Sequence, residues 1–142
     1  VAHERSGFEI FAVTADQGIR AWGRDLLEVF TNAARGLWSL MVAPGSVRPS
    51  QAYAVRAEAS DQETLLVAWL NELLYVHEAQ GIVLAEFTIT RLGEHSLEAT
   101  VSGEPLDRER HPPLGHVKAV TYHMLSLRPT AAGWEAQVVV DV

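Results

Sequence analysis

The sequence predicts an α+β fold, with two helices packed on a largely antiparallel β-sheet. Two observations carry that reading. Apolar residues recur at helical spacing after Asp25 and again after Ser60, whereas from Ile82 onward the period changes to two. The helices are not interleaved regularly with strands, which excludes a doubly wound parallel sheet.

Phe8 to Val13 reads as a strand and Ile19 to Trp22 as a second, with Thr14-Ala15-Asp16-Gln17-Gly18 as the turn between them. Asp25 is placed to cap the next helix, and Glu28 three residues on gives a capping-box pattern. Leu26, Phe30, Ala33, Leu37 and Met41 then form one buried stripe, ended by Pro44-Gly45. Gln51 to Ala59 reads as a strand. Ser60 with Glu63 suggests a second capping box, followed by an apolar face of Leu66, Trp69, Leu70, Leu73, Leu74 and His77, closed by Gly81. Phe87 and Ile89 alternate with threonines, Gly93-Glu94 turns the chain, and Leu97, Ala99 and Val101 alternate in their turn, giving a hairpin. Gly103 to Gly115, with its prolines and charges, reads as a solvated loop. Val117 to Leu127 and Trp134 to Val140 form a last strand pair. No repeat or linker interrupts residues 1–142, which are expected to form a single domain.

The 142 residues are 48% apolar and 20% charged, near the averages for a soluble globular protein. No apolar run approaches the ~20 residues of a membrane span, and no signal peptide is visible, so the expected location is the cytoplasm and no membrane partner is expected. Cysteine is absent, which excludes disulfides and thiolate metal sites. A net charge of −7 opposes phosphate backbones, so direct high-affinity nucleic-acid binding is not expected; a cation or a basic protein suits the chain better.

Asp16 stands in a small-residue turn near one end of the chain, and Asp141 follows an apolar run near the other. An Asp in a turn commonly bonds its own backbone, and an Asp beside a terminus is commonly frayed. If the first and last strands lie close, however, the two carboxylates and the terminal oxygens of Val142 form a set of hard donors suited to a divalent cation. Around His116 to His123, alternation places Lys118, Val120 and Tyr122 on one face and Val117, Ala119, Thr121 and His123 on the other. Lys118 is either a solvated edge charge or a cation serving nearby carboxylates or a phosphate. His123 reads as a half-buried imidazole ahead of a ligand. Glu104, Asp107 and His111 have the residue types for acid–base chemistry, but loops are normally polar, and the reading as a solvated loop is preferred. No phosphate-binding glycine loop, nucleophile elbow or kinase motif is present, so nothing in the sequence defines an enzyme.

Thr14-Ala15-Asp16-x-Gly18, the Leu26 to Phe30 helix start, Trp69-Leu70-Asn71-Glu72-Leu73-Leu74, Gly103-Glu104, Lys118-Ala119-x-Thr121-Tyr122-His123 and the closing Asp141-Val142 together resemble the archease family, in the family's order and over nearly the whole chain. The resemblance implies a small α+β protein that assists an RtcB-type RNA ligase in transfer RNA splicing and RNA repair. It also implies that the protein promotes guanylylation of the ligase's active-site histidine and multiple turnover, without itself performing ligation. It further implies a divalent metal, usually calcium in the family, held by Asp16, Asp141 and the oxygens of Val142, with Lys118 as a functional lysine nearby and His123 in the same motif. Val13 stands where the family motif usually has His, Gln17 replaces an apolar residue, and Val142 replaces Ile or Leu.

Two other classes fit the composition. A general chaperone or adaptor for RNA-processing proteins would tolerate loss of Asp16 and Asp141. A stand-alone metal-dependent hydrolase would need a base and a nucleophile beside the ion, for which only the loop acids and His111 offer themselves.

Overall fold

The computed structural model describes residues 5–142. In chain order the elements are β1 (Gly7–Val13), β2 (Asp16–Gly23), α1 (Leu26–Ser39), β3 (Gln51–Glu58), α2 (Gln62–Gln80), β4 (Ile82–Leu92), β5 (Ser96–Pro105), β6 (Ala119–Thr130) and β7 (Gly133–Asp141). Every strand pairing is antiparallel, in two sheets rather than one: β1-β2-β7-β6 and β3-β5-β4. The expected α+β class, with two helices on antiparallel strands, is the class observed.

The sheets are joined through the helices. Helix α1 begins where expected, with Asp25 accepting from the Glu28 N–H at 2.9 Å. The Glu28 carboxylate does not complete the box. It accepts from the Arg24 N–H and guanidinium instead, which holds its pKa below the ordinary value. Helix α2 starts one residue later than the Ser60–Glu63 pattern suggests. Asp61 is the N-cap, and its partner in the reciprocal box is Thr64. Asp61 takes the extended backbone of a cap, and its carboxylate reaches both the Thr64 N–H and hydroxyl. Gly81, at φ 64°, ends α2 as expected of a left-handed cap.

Helix α2 buries Leu65, Leu66, Val67, Trp69, Leu70, Leu73, Leu74 and Val76, more than one amphipathic stripe, because it packs against both sheets and α1. The Trp69 indole donates to the Phe30 carbonyl at 3.0 Å and so ties α2 to α1 inside the core. On the four-stranded sheet, Ile19, Ala21, Val138 and Val140 face that core.

Strands β2, β5 and β6 begin or end elsewhere than the sequence suggests, β6 running over Ala119–Thr130 rather than Val117 to Leu127. Strand β2 starts at Asp16, leaving a two-residue turn, Thr14-Ala15, in which Ala15 adopts φ 64°. A left-handed residue is what a tight hairpin demands, and Ala is not the residue type that signals it. Strand β5 runs through Glu104 and Pro105, so the segment read as loop from Gly103 begins inside the sheet.

Candidate functional site

Strand pairing brings the two extremities of the fold together. Gln17 pairs with Val140, and the next residues outward along that register are Asp16 and Asp141, the first residue of β2 and the last of β7. Because Val138 and Val140 point into the core, alternation turns Asp141 to the outer face, with Asp16 beside it on the neighbouring strand. Asp16 is half-buried and Asp141 exposed. Among the described residues neither carboxylate has an ion-pair or hydrogen-bond partner. On the far side of β7, Ala119 pairs with Asp141, and the Lys118 N–H donates to the Asp141 carbonyl at 2.8 Å. Lys118 is exposed at this same sheet end, and Val142 follows directly.

The donor chemistry suits a hard cation in an open site. Two carboxylates and main-chain oxygens are the ligand types of calcium and magnesium. The described residues contain no group of three or more His, Asp or Glu side chains able to hold a metal, so the remaining ligands of any ion here come from Val142, water or a partner.

Behind the end of the sheet the packing fixes its shape. Gly18 lies under the Phe11 ring, and a Cβ there would collide with Phe11 Cζ. The Arg20 guanidinium lies 4.5 Å from the centre of the same ring and pairs with Glu9 at 2.6 Å. The motif glycine is therefore needed for close approach of a side chain, two residues from Asp16 on the same face.

Strand β6 departs from simple alternation. Val120 is buried, but Tyr122 is 64% exposed, because the β6–β7 ladder is interrupted between Thr121 and Ser126. His123 lies in that interruption and is exposed, not half-buried.

Of Glu104, Asp107 and His111, Asp107 is exposed as a solvated loop residue would be, but the other two are not. Glu104 is 6% and His111 1% exposed. Arg110 donates to both Glu104 oxygens at 2.8 and 3.0 Å, and the Arg48 N–H donates at 2.7 Å. The Asp107 N–H donates to His111 Nδ1 at 3.0 Å, so the ring proton sits on Nε2 and is directed to Glu104 at 2.8 Å. The Arg110 bonds first, then the Arg48 N–H, hold the Glu104 pKa down to about 2. These bonds, with Leu114 N–H to the Met41 carbonyl, fasten the segment that leads to Lys118. Glu104 and His111 thus act as a latch, and their partners are distant in sequence or of ordinary loop type.

A small α+β protein with a paired-carboxylate sheet end and a lysine beside it is the class that this geometry defines. The profile described as "Archease protein family (MTH1598/TM1083)" matches residues 8–142. The chain belongs to the archease family. It is 42% identical over 139 residues to the protein archease of Methanosarcina acetivorans, covering 95% of each chain, and 38% identical over 140 residues to that of Thermococcus gammatolerans, covering 95% of this chain and 98% of that one. The solution structure of Methanobacterium thermoautotrophicum protein 1598 superposes with a TM-score of 0.81 at 35% identity, covering 96% of this chain and 99% of that one. An archease crystal structure from Thermotoga maritima shares the fold, with a TM-score of 0.56 at 16% identity over 100% of both chains.

Proposed function

We propose that this protein is an activator of an RtcB-type RNA ligase in transfer RNA splicing and RNA repair, promoting guanylylation of the ligase's histidine and repeated turnover. The observation that carries the proposal is the register that sets Asp16 next to Asp141, with Lys118 tied to the Asp141 main chain. In this reading Asp16, Asp141 and the oxygens of Val142 hold a divalent ion, calcium in the family's pattern, with coordination positions open to a partner's phosphate oxygens. When bound, such an ion supplies charge neutralisation at a crowded anionic centre.

The protein's own residues do the rest. Asp16 and Asp141 supply negative charge that repels itself until a cation is shared. Lys118 adds a positive group at the rim, within reach of a phosphate presented by the partner. The net charge of −7 favours encounter with a basic, RNA-handling protein rather than with RNA. The protein carries out no bond-making step itself; it arranges the ligase's nucleotide for attack by the ligase's histidine. A guanylylation assay with the cognate ligase, labelled guanosine triphosphate and divalent metal tests this. Parent protein stimulates label transfer; Asp16→Ala or Asp141→Ala, correctly folded, leaves the ligase-alone level. Normal stimulation by either variant contradicts the reading and favours a general chaperone.

A further inference from the structure

Between the pairs Thr121↔Val139 and Ser126↔Gln137, β7 contributes one residue, Val138, and β6 contributes four, Tyr122 to Leu125. The excess chain is built rather than loose. The Thr121 hydroxyl donates to the Val139 carbonyl at 2.8 Å and accepts from the His123 N–H at 3.2 Å; Gln137 Nε2 donates to the Met124 carbonyl at 2.9 Å. Leu125 packs against the core. Met124 is held at φ 56°, a conformation unfavourable for a side chain of its size. With this backbone Tyr122, His123 and Met124 are exposed, Tyr122 at 64% and Met124 at 48%.

We propose that this bulge is a docking knob for the protein partner that the Asp16–Asp141 end serves, the ligase of the preceding section, on which the inference rests. A bulge alone can guard an edge strand, but guards are charged residues or proline, and β6 has Arg128 and Pro129 further along for that. Tyr and Met are anchor types for interfaces, broad in contact area and adaptable in shape. The knob adjoins the proposed site: Thr121 is two residues from Ala119, the partner of Asp141, roughly 7 Å along the strand. The occupant is therefore a concave apolar pocket at the rim of a basic protein cleft, with an acceptor for the Tyr122 phenol. RNA is disfavoured by the −7 charge.

Met124→Gly makes the test sharp, because glycine accepts φ 56° without strain. The measurement is the dissociation constant for the cognate ligase, by calorimetry, for the parent, Tyr122→Ala and Met124→Gly, with thermal melts of each. Asp141→Ala is run beside them for binding and for stimulation of guanylylation. Both bulge variants are expected to lose at least about tenfold in affinity, Met124→Gly with no fall in melting temperature. Asp141→Ala is expected to bind but not to stimulate. Parental affinity in either bulge variant overturns the docking inference, as does loss of RNA binding with ligase affinity intact. Normal stimulation by Asp141→Ala overturns the proposed function instead, whatever the bulge variants do.

Discussion

Asn71 pairs with Val120 as a residue of a neighbouring strand would: Val120 N–H donates to Asn71 Oδ1 at 2.9 Å, and Asn71 Nδ2 donates to the Val120 carbonyl at 3.0 Å. One side chain of α2 thereby closes the open edge of β6 two residues from Lys118. Asn71→Ala leaves both Val120 groups unpaired at a buried position and is expected to cost about 1–3 kcal/mol. Asn71→Asp keeps the acceptor, loses the donor and falls between Ala and parent. Urea unfolding of the three proteins checks the order.

Gly18 and Phe11 form a second coupled pair. Gly18→Ala drives a Cβ into the Phe11 ring and is expected to destabilise by about 1 kcal/mol, the low end for overpacking because the ring can swing aside. In a Phe11→Ala background the same change removes only a flexible strand glycine and is expected to stabilise by about 0.5–1 kcal/mol. A double-mutant cycle that shows the same sign in both backgrounds contradicts the packing argument.

Acid stability follows from Glu104. Its pKa is lowered from 4.5 to about 2 by Arg110 and the Arg48 N–H. A depressed carboxylate stabilises the fold at pH values above its unfolded pKa, and that contribution disappears as pH falls through the folded value. Glu104→Gln is therefore expected to melt below the parent at neutral pH, with the gap narrowing from about pH 4.5 toward pH 2. Thermal melts across that range decide it; a gap that widens on acidification contradicts the latch.

Metal binding to the free protein is expected to depend on both carboxylates. Calcium at a hundred times its dissociation constant raises the stability of a single-site binder by about 2.7 kcal/mol. The parent's melting temperature is expected to rise accordingly, and those of Asp16→Ala and Asp141→Ala to stay where they are without calcium. Equal shifts in all three place the ion elsewhere.

The helices are legible in the sequence because Asp25, Gly81 and the leucine periodicity are local signals. The α2 start shifts to Asp61 because two adjacent residues could each cap, and side-chain reach to Thr64 decides between them. Convergence of Asp16 and Asp141 is legible as an expectation from apolar strands at both ends of the chain, and the β2–β7 register fulfils it. Three features are not legible. The division into two sheets depends on non-local pairing. The Glu104 latch looks like a polar loop until Arg48, 56 residues away, is folded onto it. The β6 bulge hides within a strand-like run because nothing in Tyr122-His123-Met124 announces a positive φ.

Stimulation of ligase guanylylation by Asp141→Ala, in calcium and with the variant's fold verified by its melt, tests the central claim most directly. The expected result is label transfer no faster than with ligase alone, while the parent accelerates it. Acceleration by the variant equal to the parent's contradicts the claim that the paired carboxylates at this sheet end carry the activity.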